Sequence, residues 1–389
     1  MGHPITYRER SKSIPWWQID FGDEARLAVL RAIEARSFSM GSAVTEMESC
    51  FAQLLDVKHC IAVTNGTSAL LLSLLALEIQ PDDEVIIQDR TWIAAANAVR
   101  LIRATVKLAD VQSPPLLAPN LTKPPLASID SIRNLITPKT KAIIVSHMNG
   151  RVFSQLEIES LQSLNIPIVE DSAQAFGSRD ASGKCLGTIF QIGCFSLAMT
   201  KLISAGQGGF VVTNDEYLAK KMRLARLQGV EQVFDPAWGI QGFNLRMTDL
   251  HASIALSQIK RIDEILNRQK RVLRIYDENL DNESEVSMVR EGKGAVEIGP
   301  YVECAVKNRK PLLNWLSNNG VEARPFYPNI ASAKHVNISG CRTPNAELWG
   351  VHGLYLPSGP GISDDEIRTV CQIINQFSSI DKTESTTTL

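Results

Sequence analysis

Lys201 stands among Leu197, Ala198, Met199, Leu202 and Ile203, five residues after Ser196. An amine in such apolar surroundings can be held neutral and nucleophilic, or it can snorkel its charge to the surface. Asp171 closes the run Ile-Pro-Ile-Val-Glu-Asp, with Gln174 three residues further on. A carboxylate at the end of a buried strand either caps the next helix or meets a cationic ligand. Asn65-Gly66-Thr67-Ser68 leads from a short apolar run into a helical pattern. Free N–H groups and hydroxyls at a helix start suit a phosphate, and they suit a plain capped turn as well. Gly206-Gln207-Gly208-Gly209 permits close backbone approach and positive φ. Each cluster alone has its structural reading. Together they describe a ligand with a carbonyl for Lys201, a protonated ring nitrogen for Asp171, and a phosphate for Gly66, Thr67, Ser68 and Ser196. Pyridoxal phosphate unites these features. A nicotinamide cofactor would call for Gly-x-Gly-x-x-Gly opening the first βα turn, and the chain has none there.

The elements that must position these groups follow from the hydrophobic pattern. Strands are expected at 60–63, 84–88, 106–108, 141–146 and 166–170, alternating with helices at 68–78, 92–101, 129–136 and 156–164. This alternation predicts an α/β fold with a mainly parallel central sheet flanked by helices. The four clusters fall at strand ends or helix starts, where open α/β sheets bind ligands. Two further strands, 193–197 and 209–213, are expected at the far end of the sheet. The pattern over 248–275 predicts one long helix. Beyond it, a strand at 302–306 and helices at 311–318 and 364–376 predict a smaller C-terminal α+β domain. The division expected is an N-terminal segment (1–20), a large cofactor-binding domain (21–255), a small domain (256–380) and a flexible tail (381–389). The proline-rich stretch 112–125 predicts a loop.

Composition narrows the class. Forty Lys and Arg against 42 Asp and Glu leave a net charge of -2, which excludes a strongly basic nucleic-acid binder and an acidic disordered chain. The densest apolar run, 69–77, is too short to span a bilayer and contains Ser73. The first residues show charges but no apolar segment of a secretory signal. Seven cysteines, odd in number and without Cys-x-x-Cys spacing, predict reduced thiols in a cytoplasm and no zinc site.

Five segments, in order, resemble one known family. They are Asn-Gly-Thr-Ser-Ala-Leu (65–70), Arg-Thr-Trp-Ile-Ala-Ala-Ala-Asn-Ala-Val (90–99) and Glu-Asp-Ser-Ala-Gln-Ala-Phe-Gly-Ser (170–178). The run 195–213 carries Phe-Ser, Lys201 and the glycine turn, and 242–259 begins Gly-Phe-Asn-Leu-Arg-Met. On these motifs the chain resembles the DegT/DnrJ/EryC1/StrS family of sugar aminotransferases, over nearly its whole length. The resemblance implies the fold-type I aspartate aminotransferase fold and pyridoxal phosphate as cofactor. It makes Lys201 the lysine that binds the cofactor, Asp171 the partner of its ring nitrogen, and Gln174 the neighbour of its phenolic oxygen. Trp92 lies against the ring. Gly66, Thr67, Ser68 and Ser196 contact the phosphate, and Asn244 reaches the site of a neighbouring subunit. A homodimer with shared active sites follows.

The implied reaction moves an amino group from an amino acid, L-glutamate, to a keto-sugar, most simply a nucleotide-linked one, in two half-reactions. Three rivals differ from it. Some relatives are dehydratases with histidine in place of the lysine, which Lys201 opposes. A regulator that merely keeps the fold is opposed by the intact lysine, aspartate and phosphate residues. An aminocyclitol ketone or a free keto-sugar as acceptor shares the chemistry. The sequence departs from the family at Asn149, where an aromatic is frequent, at Gln207, where Glu is common, and at 324–330, which lacks a frequent Pro-Leu-His. Asn149 is expected to make the pocket beside the cofactor more polar.

Overall fold

The computed structural model describes residues 13–112, 126–231, 239–281, 286–289, 294–336 and 341–386. All but the first residue of the expected proline-rich loop, the first 12 residues and the last three lie outside these. Short runs of Val, Ile, Ala and Phe, buried on both faces, form a seven-stranded sheet. Its strands are β1 (His59–Val63), β2 (Glu84–Gln88), β3 (Thr105–Ala109), β4 (Thr140–Ser146), β5 (Ile168–Asp171), β6 (Ile192–Ser196) and β7 (Gly209–Thr213). The spatial order is β1-β7-β6-β5-β4-β2-β3. Only β7 runs antiparallel to its neighbours, so β1, β2, β4, β5 and β6 end on the same edge of the sheet.

The expectation that 209–213 closes the far end of the sheet is corrected: β7 is inserted between β1 and β6. Glycine makes the insertion possible. A Cβ at Gly209 would stand 2.7 Å from both the Asn65 carbonyl carbon and the Phe195 oxygen. The helix Gly66–Ala76, apolar almost all round, is buried between the sheet and the helices Ala94–Leu101 and Glu216–Arg226. On the other face, Phe51 and Phe195 stack on Phe210 at 4.2 and 4.6 Å.

The long helix expected over 248–275 is two helices, Asp249–Ile259 and Ile262–Asn279. The first packs on Gly22–Glu34 and Ser42–Leu55. The second carries Val272, Ile275 and Tyr276 into a separate core. The second helix begins in the core of the first, through Ile265, and Arg261 secures the break between them with bonds of 2.8 Å to Asp20 and 2.7 Å to Glu264. That second core lies on an antiparallel sheet of β8 (Val286–Met288), β9 (Val302–Val306), β10 (Arg324–Pro325) and β11 (Gly353–Leu356), in the order β10-β11-β9-β8. The last helix, Asp364–Thr386, runs through the first part of the stretch expected as tail. The segment before residue 20 is tied to this smaller unit by bridges from Ile14 to Val321 and from Trp17 to Ser358. Among the described residues, no helix is long and apolar enough to cross a membrane.

Candidate active site

A cleft of about 740 Å³ opens at the edge where β1, β2, β4, β5 and β6 end, facing the smaller sheet. Gly66, Thr67, Ser68, Trp92, Asp171, Gln174, Ser196 and Lys201 all line it. The fold therefore brings together every predicted site residue except Asn244.

The first wall is the start of the helix Gly66–Ala76. Asn65, in extended conformation, caps it by accepting the Ser68 N–H at 2.9 Å. By helix geometry, the N–H groups of Gly66 and Thr67 have no partner within their own helix. The Ser68 hydroxyl lies 2.9 Å from that of Thr64. A Cβ on Gly66 would come within 3.0 Å of the Ser196 Cβ, so glycine keeps the space between helix start and Ser196 open. Hydroxyls, free amides and the positive helix end form a cradle of anion chemistry.

Asp171 forms the floor. Its Oδ1 accepts the Ala173 N–H at 3.2 Å, and its Oδ2 accepts the Ser146 hydroxyl at 3.4 Å. Ser146 in turn accepts the Thr91 hydroxyl at 2.8 Å. Burial pushes the Asp171 carboxyl above the usual carboxylate range, while the nearby Lys201 ammonium pulls the other way. A buried carboxylate with such partners is suited to a cationic ring nitrogen. Gln174 lies beside it, its Nε2 donating to the Tyr327 hydroxyl at 3.1 Å.

Lys201 sits in the turn between β6 and β7, half-buried rather than enclosed, with Leu202 and Ile203 buried behind it and Met199 exposed. Trp92 is 54% exposed on the cleft wall, edge-on to Tyr327 at 5.2 Å. An amine, a buried carboxylate, an anion cradle and an aromatic face around one space fit pyridoxal phosphate.

Asn244 is exposed and does not line the cleft of its own chain, its Oδ1 accepting from Arg246 Nε at 2.9 Å. The expectation of a more polar pocket at Asn149 is corrected. Asn149 does not line the cleft, because both ends of its carboxamide are engaged by the peptide of Tyr301. Tyr301, Tyr327, Tyr355, Trp16 and Arg324 line the cleft as well. Sequence reasoning did not single out the tyrosines, which arrive from more than a hundred residues away. Tyr327 lies in the segment 324–330 noted for its departure, and that was its one signal.

The GDP-perosamine synthase of Caulobacter vibrioides is 34% identical over 351 residues, covering 87% of this chain and 91% of that protein. The GDP-perosamine synthase of Escherichia coli O157:H7 is 33% identical over 346 residues, covering 88% and 92%. Among solved structures, S. venezuelae DesV in complex with a ketimine intermediate matches with a TM-score of 0.86 at 24% identity, covering 95% of this chain and 99% of that one. At that identity the likeness speaks for the fold alone. The model of the DegT/DnrJ/EryC1/StrS aminotransferase family matches residues 20–375, and the chain belongs to that family.

Proposed function

We propose that this pyridoxal-phosphate-dependent aminotransferase takes its amino group from L-glutamate and delivers it to the carbonyl of a nucleotide-linked keto-sugar. The observation that carries the chemistry is the convergence of Lys201, Asp171 and the 65–68 cradle on one cleft. For the acceptor, the support is the similarity to two GDP-perosamine synthases. A cleft of about 740 Å³ also leaves room well beyond an amino acid.

When bound, pyridoxal phosphate supplies a carbonyl that amines can occupy and a ring that accepts an electron pair. Lys201 Nζ is its anchor. With its amine free, the same Nζ would move a proton as general base and then as general acid. The Asp171 carboxylate holds a proton on the ring nitrogen through a charge-assisted bond. Gly66, Thr67, Ser68 and Ser196 would hold the cofactor's phosphate, and Trp92 on the cleft wall would offer its ring an aromatic neighbour.

A homodimer completes the reading. What supports it is that Asn244 does not line the cleft of its own chain, while the family resemblance assigns it to a neighbouring subunit's site. Mixing inactive Lys201→Ala and Asn244→Asp subunits should restore up to one working site per dimer. No recovery despite confirmed subunit exchange would remove the shared-site model. The acceptor is tested by offering the amino-loaded enzyme GDP- and dTDP-linked keto-sugars, free keto-sugars and cyclitol ketones. Turnover confined to the free sugars or cyclitols would overturn the nucleotide-linked assignment.

A further inference from the structure

Asn149 is buried and holds a left-handed backbone, φ +49° and ψ +38°, a conformation that asparagine tolerates better than most residues. Three of its polar groups are bonded to two residues. The backbone N–H donates to Gln174 Oε1 at 2.9 Å. The carboxamide Nδ2 donates to the Tyr301 carbonyl at 2.7 Å, and Oδ1 accepts the Tyr301 N–H at 2.8 Å. A side chain thus pairs with a peptide much as a neighbouring strand would. The approach is close because residue 299 is glycine: a Cβ there would stand 2.1 Å from the Asn149 oxygens.

Both contacts lead to the cleft. With Oε1 of Gln174 occupied, its Nε2 must face the other way, toward the Tyr327 hydroxyl. Tyr301, gripped by its peptide, reaches with its hydroxyl to Thr200 Oγ1 at 3.0 Å. Thr200 directly precedes Lys201 in a turn without regular secondary structure. That turn has one further hold from the same side, the Trp17 indole N–H on the Met199 carbonyl at 3.0 Å. Trp17 itself lies edge-on to Tyr301 at 5.8 Å.

We propose that Asn149 is a positioning residue: by one hydrogen bond it sets the amide of Gln174, and through Tyr301 and Thr200 it holds the turn that presents Lys201. It touches neither cofactor nor substrate. The functional part of this inference rests on the assignment of Lys201; the mechanical part does not.

The test uses Asn149→Gly, which keeps the positive φ and the backbone N–H but removes the carboxamide. Asn149→Asp is unsuitable because it would add a carboxylate beside the buried Glu303. Tyr301→Phe removes only the hydroxyl. Amide hydrogen exchange on the cofactor-free protein should rise about tenfold over 198–203 in both variants, and stay at the wild-type level in the helix Asp249–Ile259. In the loaded enzyme, kcat of the glutamate half-reaction should fall about tenfold with KM nearly unchanged. The double variant should lose no more than the worse single one, as expected of residues in series. Wild-type exchange over 198–203, or additive losses in the double variant, would overturn the proposal. Raised exchange with wild-type kcat would support the clamp and count instead against Lys201. If Asn149→Gly does not fold, Asn149→Ser, whose side chain is too short to pair with the Tyr301 peptide, replaces it in both measurements, with Tyr301→Phe testing the last link.

Discussion

The two walls that meet at the cleft are built in opposite ways. The wall that forms the anion cradle is local: Asn65 caps its own helix, and Gly66, Thr67 and Ser68 follow directly. Only Ser196 comes from elsewhere. The wall that carries Lys201 is assembled from distant segments: the turn itself, Trp17 before the first helix, and Tyr301 at the entry to β9, the last held by Asn149. A local cradle forms with the fold of its own strand and helix. A turn held from outside depends on how the smaller unit docks, so disturbances in that unit should reach the lysine more readily than the cradle.

Substitutions can break this contrast, and the largest effect belongs to the lysine. Lys201→Ala should abolish turnover while the circular dichroism spectrum and melting temperature stay near wild type. Activity close to wild type would show that another group does the work. Asp171→Asn comes next. It keeps the shape of the floor but cannot stabilise a ring cation, and kcat should fall by roughly a hundredfold or more, a few kcal/mol of barrier. The same variant has a signature in the cofactor-free chain. Burial raises the Asp171 carboxyl above its unfolded value, so the native state binds the proton more readily than the unfolded state. The folded form is therefore favoured at low pH and loses stability as pH rises through the raised value. Cofactor-free Asp171→Asn should melt higher than wild type at neutral pH, the two converging as pH falls. Equal melting at neutral pH would mean that the carboxylate is better solvated than its burial implies.

Smaller effects test the local wall. Gly66→Ala would push a Cβ against Ser196 and should weaken cofactor binding roughly tenfold, about 1.4 kcal/mol, with kcat at saturating cofactor little changed. A fall in kcat with unchanged cofactor affinity would place residue 66 outside the phosphate site. Asn65→Ala removes the cap and should cost about 1 kcal/mol of stability, read as a drop of a few degrees in melting temperature. No drop would show the helix start to be held by the sheet instead.

The same contrast explains what could be read from the sequence. Strands β2, β7 and β9 have the bounds expected of them, because each has Val or Ile within a short, mostly buried run, although Glu84, Gln88 and Glu303 interrupt the apolar pattern. The site residues after β1, β5 and β6 were legible for another reason, since each sits in a local motif. The position of β7 was not, since an antiparallel return and a parallel one can share an apolar pattern. The break at Lys260 and Arg261 was hidden because both helices keep a helical period and share one core across it. Asn149 was misread because its aim depends on Tyr301, a residue 152 positions away. Tyr301 itself carries no local motif. Residues that act through a distant partner leave no spacing to read.

The central claim is that Lys201 holds the cofactor. Borohydride reduction of the cofactor-loaded enzyme fixes pyridoxal phosphate to the lysine that binds it, and peptide mass mapping then identifies that residue. The account predicts the modification on Lys201 and its loss in Lys201→Ala. Modification of another lysine, or cofactor-retaining enzyme with no modified lysine, would contradict it.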